Sequence, residues 1–174
     1  MQLSDLGNRI CIMGPSNSGK STLANLISTK CNLKVTHLDQ LFHLPNTDWQ
    51  ERSVDEFISL HDMAIKEESW VIDGNYTRCL PQRLSRATGI ILLDISTPSS
   101  LLRYINRTLF QRKRYGALEG NQDSIKWQML HHITVVTPKS RKRYAAMFKE
   151  LTIPKIKLVS IQEMKKQFNQ WGLT

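Results

Sequence analysis

The sequence predicts an α/β protein in which parallel strands are joined and covered by helices. Short apolar runs alternate along the chain with stretches at helical spacing. The run Gly89-Ile-Ile-Leu-Leu-Asp-Ile95 is almost wholly apolar, as a strand buried on both faces should be. No internal repeat and no Pro/Gly/Ser-rich linker divides the chain. Alternation at this rhythm implies parallel pairing through right-handed crossovers, hence a helix-covered sheet.

Arg9-Ile-Cys-Ile-Met13 reads as the first strand, and a glycine-bearing loop separates it from Thr22-Leu-Ala-Asn-Leu-Ile27, a helix. Leu33-Lys-Val-Thr-His-Leu38 has the β-branched content of a second strand, ending in Asp39. Ser53-Val-Asp-Glu56 has the form of a capping box and opens a helix to about Glu68. Trp70-Val-Ile-Asp73 is the third strand and the run from Gly89 the fourth. Pro98 suits the first turn of the next helix, with Ser96 or Thr97 as its cap. Polarity, Gly116 and Gly120 then mark a loop. One or two helices over 123–151, interrupted at Pro138, lead to a fifth strand, Lys155-Ile-Lys-Leu-Val159. Ser160-Ile-Gln-Glu163 repeats the capping box before a final helix.

Composition narrows the functional classes. The chain has 174 residues with 40% apolar, enough for one domain with a core of its own. No apolar run approaches the roughly 18 residues of a membrane span, and Met1–Leu6 lacks the pattern of a secretory signal, so a cytoplasmic location is expected. Cys11, Cys31 and Cys79 are odd in number and form no CxxC pair, which argues against a disulfide framework or zinc site. The net charge of +9 is uneven: residues 1–100 carry 9 Lys/Arg against 11 Asp/Glu, and residues 101–174 carry 15 against 4. Such a basic C-terminal part favours an anionic partner, whether nucleotide, phosphorylated metabolite, nucleic acid or membrane surface.

Gly14-Pro15-Ser16-Asn17-Ser18-Gly19-Lys20-Ser21 matches G-x-x-x-x-G-K-[ST] at every fixed position, between a predicted strand and a predicted helix. This is the Walker A pattern. The glycines let successive backbone amides turn toward phosphate oxygens, and the helix presents its positive end to the same anion. Lys20 is expected to reach the β- and γ-phosphates and the Ser21 hydroxyl to ligate Mg²⁺, with Thr22 closing the binding segment. A GTPase would carry an N-K-x-D base-reading motif, and none follows. Transporter ATPases and helicases usually need longer chains, which leaves a small kinase.

The whole length resembles the adenylate kinase and shikimate kinase superfamily. The pairing of H-x-D-x-L-F (His37, Asp39, Leu41, Phe42) with I-D-G-N-Y (Ile72 to Tyr76) resembles more closely the small bacterial proteins known as topology modulation or adenylate kinase-related proteins. The resemblance implies a three-layer P-loop NTPase fold with a five-stranded parallel sheet in the order 2-3-1-4-5. It implies one domain over 1–174 with a short helical lid at about 108–122. The implied activity is Mg-ATP-dependent transfer of the γ-phosphoryl group to an unidentified acceptor, nucleotide-like or a hydroxyl metabolite, by a monomer or weak dimer.

In nucleotide kinases the third strand ends in D-G-F-P-R, which here becomes Asp73-Gly-Asn-Tyr-Thr-Arg78. The resemblance makes Asp73 a partner of Mg²⁺, and Arg78, one residue late, an acceptor contact. Asp39 is expected to orient or deprotonate the acceptor hydroxyl, with Phe42 and Tyr76 walling its pocket; core packing explains the two rings equally well. Arg103 and Arg107 lie four apart on one helix face. By resemblance they contact the adenine and the transferring phosphate, while Arg112 and Arg114 close over the γ-phosphate from the lid. The competing reading is an ATP-binding regulator or nucleic-acid-binding protein, since Tyr104, Tyr115, Trp127 and Tyr144 lie among the basic residues. No helix-turn-helix, RNP or zinc-finger pattern accompanies them.

Overall fold

The computed structural model describes residues 1–110 and 127–173. Five strands form a single sheet: β1 (Arg9–Met13), β2 (Lys34–His37), β3 (Trp70–Asp73), β4 (Gly89–Leu93) and β5 (Lys155–Leu158). Their order is β2-β3-β1-β4-β5 and every pairing is parallel. This is the expected order. The helices are α1 (Lys20–Cys31), α2 (Leu38–Phe42), α3 (Val54–Lys66), α4 (Leu80–Arg86), α5 (Thr97–Phe110), α6 (Trp127–His131), α7 (Thr137–Glu150) and α8 (Ile161–Gln170).

Strand periodicity divides the core into two layers. Ile10, Ile12, Val71, Ile91 and Leu93 point to one face, where Leu23, Ile27 and Met164 from α1 and α8 meet them. Cys11, Met13, Trp70, Ile72, Ile90 and Leu92 point to the other, against Phe57, Ile65, Leu80, Tyr144 and Phe148. All residues of β3 and β4 are buried, whereas the edge strands β2 and β5 expose lysines. Each fully buried leucine or isoleucine here contributes about 1.5–3 kcal/mol. Helices on both faces thus follow from a sheet that is apolar on both.

Local signals work largely as the sequence implies. Ser53 Oγ accepts the Glu56 amide at 3.2 Å. Ser160 Oγ accepts the Glu163 amide at 3.1 Å, and Glu163 reaches back to the Val159 amide at 2.8 Å. Lys155 Nζ donates to the carbonyls of Phe148, Lys149 and Leu151, closing the C-terminus of α7 with a cation.

Three expectations need correction, and α4 adds a helix that the sequence does not mark. Strand β2 ends at His37, so Asp39 is not its last residue but lies in the first turn of α2. Strand β4 stops at Leu93, and Asp94 turns away to form ion pairs. Helix α4 carries Pro81 near its start and was not marked by a strong apolar period. Pro138 does not interrupt the helix: residues His132–Val136 form a π-helical stretch joining α6 to α7, and Pro138 occupies the first turn of α7. A proline ring clashes with the carbonyl four residues back in a regular helix, and widening the preceding turn relieves that clash.

Gly89 at the start of β4 marks a close approach in this frame, because a Cβ there would lie 2.5 Å from the Leu6 carbonyl oxygen. Gly89→Ala must push Leu6 and its segment outward. We expect it to cost about 1–3 kcal/mol, read as a fall in Tm of roughly 2–4 °C per kcal/mol. A melting curve superposable on wild type would show that the Leu6 segment yields freely.

Candidate active site

The carboxyl ends of β1, β2, β3 and β4 lie together, since Ile12 and His37 both stand opposite Asp73 and Met13 opposite Leu92. Between β1 and α1 the loop 14–19 turns back on itself. Gly14 has φ 150° and a Cβ on it would come 2.3 Å from the Leu93 carbonyl oxygen. Gly19, φ 97°, delivers the chain into α1 from a left-handed conformation that a side chain would strain. The amide and carbonyl of the Asn17 side chain and the Ser18 hydroxyl are buried without hydrogen-bond partners. A loop with orphaned polar groups at a helix N-terminus suits a bound anion. Lys20 Nζ reaches back 2.8 Å to the Pro15 carbonyl, so its charge is held over the loop. The Arg103 guanidinium lies against the other side, 3.0 Å from where a Gly19 Cβ would be.

Ser21, in the first turn of α1, donates its hydroxyl proton to Asp73 Oδ2 at 2.8 Å. Asp73 Oδ1 is bonded to Nδ1 of the buried His37. His37 Nε2 lies 2.9 Å from Asn25 Nδ2, which also donates to the Ser21 carbonyl at 2.9 Å. That carbonyl needs a donor, so the nitrogen of Asn25 faces it. His37 Nε2 must then accept, and its single proton sits on Nδ1, directed at Asp73. A metal ion on the Ser21 oxygen would find the hydroxyl proton already aimed at a carboxylate. No group of three or more His, Cys, Asp or Glu side chains is placed to hold a metal among the described residues. The serine, the carboxylate and phosphate oxygens are a donor set suited to Mg²⁺.

Asp39 faces the same space from α2, and its Oδ1 accepts the Tyr76 hydroxyl at 2.7 Å. Burial, with the charge and hydrogen bond of Asp39, pushes the Tyr76 phenol far above its ordinary range, so it stays a donor. Phe42 packs on Tyr76 and on Phe57, with centroids 5.2 Å and 5.1 Å away. A cavity of about 300 Å³ runs from Gly14, Pro15 and Lys20 past Asp39 and Tyr76 to Asp94, Ser140 and Arg141. Its far wall is an ion cluster: Arg141 Nε lies 2.6 Å from Asp94 Oδ1 and Lys157 Nζ 2.8 Å from Oδ2. Burial works against the Asp94 charge, but the bonds and charges of Arg141 and Lys157 outweigh it. They hold the carboxyl below its ordinary value.

The turn after β3 ties the two sides together. Asn75 Nδ2 donates to the Gly14 carbonyl at 3.0 Å and its Oδ1 accepts the Gly14 amide at 3.1 Å. Beneath the turn lies Arg83, with 0% of its surface exposed. Its Nη2 donates to the carbonyls of Gly74 at 3.0 Å and Asn75 at 3.2 Å, while Nε and Nη1 have no partner. The neighbouring Cys11 thiol is pushed up to about 11 by burial, against the pull of the Arg83 charge. It remains a neutral thiol and gives Arg83 no counter-charge.

Thus Gly14 to Ser21, Asp73, Asp39 and Tyr76 lie together at the carboxyl edge of the sheet, with Arg103 against Gly19. Phe42 stands behind Tyr76 rather than among the residues lining the cavity, and Arg78 is exposed and also outside that lining. The Arg107 side chain, Arg112, Arg114 and most of the expected lid at 108–122 lie outside the described residues. Sequence reasoning missed Asn75, Arg83 and the pairing of Asp94 with Arg141. Only Asn75 left a signal, as the departure from Phe in the D-G-F-P-R pattern.

No family model matches the chain, and no curated protein sequence does. Among solved structures it is similar to a gluconokinase from Sinorhizobium meliloti 1021, at 14% identity and a TM-score of 0.52, covering 97% of this chain and 92% of that one. It is also similar to a shikimate kinase from Aquifex aeolicus vf5, at 20% identity and a TM-score of 0.51, covering 90% and 85%. At these identities the likeness establishes a shared fold. No helix among the described residues is long and apolar enough to cross a membrane.

Two outcomes test this geometry. Asn75→Ala removes both bonds to Gly14; at about 0.5–1.5 kcal/mol each, the loss should weaken nucleotide binding roughly tenfold or more in calorimetric titration. Unchanged affinity would show that the loop holds its shape unaided. Asp94, more acidic folded than unfolded, contributes stability above its unfolded pKa of about 3.9 that is lost as pH falls through its folded value. Asp94→Asn should therefore flatten the decline of Tm below about pH 4, and an identical acid profile would remove Asp94 from the account.

Proposed function

We propose that this chain is a Mg-ATP-dependent phosphotransferase that moves the γ-phosphoryl group to a hydroxyl of a small-molecule acceptor. One observation carries the reading: a single cavity connects the phosphate loop and Lys20 to the Asp39–Tyr76 pair. Phosphoryl transfer requires little covalent work from a protein beyond alignment and the balancing of spreading negative charge. The triphosphate would lie along the loop amides, with Lys20 swinging from Pro15 onto the β- and γ-phosphates and Arg103 on the outer side of Gly19. Ser21 and Asp73 would hold Mg²⁺, which neutralises charge on the phosphate oxygens.

On the opposite side Asp39 Oδ1 is occupied by Tyr76, which leaves Oδ2 to accept the acceptor hydroxyl's proton. The acceptor oxygen forms its bond to the γ-phosphorus as the bond to the β,γ-bridging oxygen breaks. The proton passes to Asp39 and ADP leaves. Arg107, Arg112 and Arg114 are proposed to close over the transferring group. A regulatory or nucleic-acid-binding role has the basic charge and the aromatic residues among it in its favour, and no built site beside them among the described residues. Three cations of the basic region, Arg141, Lys155 and Lys157, are engaged in bonds within the fold.

Lys20→Ala should lower ADP release in the presence of acceptor by at least about 100-fold, on the scale of losing one transition-state contact. Asp39→Asn should reduce kcat about 10²-fold or more while leaving ATP affinity near wild type. A coupled assay for ADP over a broad acceptor screen measures both. ATP binding without ADP formation from any acceptor would defeat the proposal.

A further inference from the structure

Resting on the phosphotransferase reading, the charges around the cavity narrow the acceptor. Four charged side chains line it: Lys20, Asp39, Asp94 and Arg141. Lys20 belongs to the phosphate loop and serves the donor. Beyond the loop stand two carboxylates and one guanidinium, and the guanidinium is already engaged. Arg141 Nε is 2.6 Å from Asp94 Oδ1 and its Nη2 donates to the Asp94 carbonyl at 3.1 Å, while Lys157 takes the other carboxylate oxygen. Arg141 is therefore engaged in a half-buried ion pair whose disruption would leave Asp94 short of its partner.

Among the described residues no other arginine lines the cavity. Arg52 is paired with Glu56 at 2.6 Å. Arg83 lies beneath the turn with its Nη2 on two carbonyls, and Arg78 is exposed outside the cavity lining. An anionic acceptor would meet Asp39, the group its own hydroxyl must approach, and would find among the described residues lining the cavity no arginine other than the engaged Arg141 to bind its carboxylate or phosphate. The uncharged polar groups that do line the space include the hydroxyls of Tyr76 and Ser140. Hydroxyls pair with hydroxyls in either sense. The volume, about 300 Å³, lies at the small end of ligand pockets, and the donor's terminal phosphate needs part of it.

We propose that the acceptor is a small, uncharged, polyhydroxylated molecule of the sugar or polyol class, selected because the Asp94–Arg141–Lys157 cluster withholds the cation that an acid or phosphate would need. Asp94 and Arg141 thereby act as specificity determinants. The hydroxyl attacks the γ-phosphorus in the step already described, and no further reactant is needed.

The full chain, with ATP and Mg²⁺, is assayed against matched sets: glucose, sorbitol and ribose; gluconate and ribonate; glucose 6-phosphate and ribose 5-phosphate; glucosamine. Product is identified by mass spectrometry and ADP release is followed in parallel. Neutral members should be phosphorylated with kcat/KM at least about tenfold above their acidic or aminated counterparts, the size of one modest charge contact. Asp94→Asn, which releases Arg141, should shift the acid-to-neutral ratio of kcat/KM toward the acid by about tenfold. Preference of wild type for an acid, a sugar phosphate or an amine overturns this inference and leaves phosphotransfer standing. Phosphorylation of no member, with ATP binding intact, overturns this inference, and the phosphotransferase reading falls only if a broad acceptor screen fails as well. If Asp94→Asn melts before assay temperature, the wild-type ranking alone decides.

Discussion

A cation sealed under a turn governs the geometry of the site. Arg83 has no exposed surface and no carboxylate partner, and removing such a charge from water costs several kcal/mol unless polar groups surround it. The carbonyls of Gly74 and Asn75 supply that environment for Nη2, which fixes the direction of both peptide groups. The Gly74 amide is meanwhile bonded to the Ile12 carbonyl at 3.1 Å, continuing the ladder between β1 and β3. With its backbone held from both sides, the turn aims consecutive side chains at opposite halves of the site. Asn75 grips the first glycine of the phosphate loop and Tyr76 grips Asp39. On the proposed reading, the donor and acceptor positions would thus both be set by one tripeptide, Gly74 to Tyr76.

The same economy of donors and acceptors orders the side around Ser21 and Asp73. Asn25, His37, Asp73 and Ser21 form a closed circuit in which every proton has one consistent position. An arrangement fixed before the ligand arrives need not reorganise when charge develops, and that is the condition under which dipoles and carboxylates act most strongly on a transition state. His37 comes from the end of β2 and Asp73 from the end of β3, opposite one another in register. The parallel sheet is what allows residues 36 positions apart to meet at this edge.

Much of this was legible in the sequence where a physical signal is local. The five strands announced themselves by apolar runs, the phosphate loop by its glycines and lysine, and Asp73 by its place after a strand. What stayed hidden depends on partners distant in the chain. Arg83 reads in sequence as a surface cation on a short segment containing Pro81, because nothing local says that two carbonyls wait for it. The 47-residue separation of Arg141 from Asp94 is equally invisible until β4 and α7 are packed. The helical path through Pro138 escaped for a different reason: a π-helical widening has no composition of its own. Asn75 was visible as a departure from the nucleotide-kinase pattern, but its meaning required the position of Gly14.

Part of the basic C-terminal charge is engaged within the fold itself. Residues 101–174 carry 15 Lys/Arg, a count that suggests a surface built for polyanions. Within the fold, Lys155 closes the end of α7 on three carbonyls, and Arg141 and Lys157 converge on Asp94. The one carboxylate partly balances Arg141 and Lys157 at short range, where Coulomb interactions are strongest. Asp94 comes directly after β4, within residues 1–100, so the negative charge that pairs with Arg141 and Lys157 belongs to a segment the simple count places elsewhere. A cluster that joins β4, β5 and α7 also forms the wall of the cavity. The interactions that hold the far side of the sheet together are therefore the ones that set the charge presented to whatever binds beside Asp39.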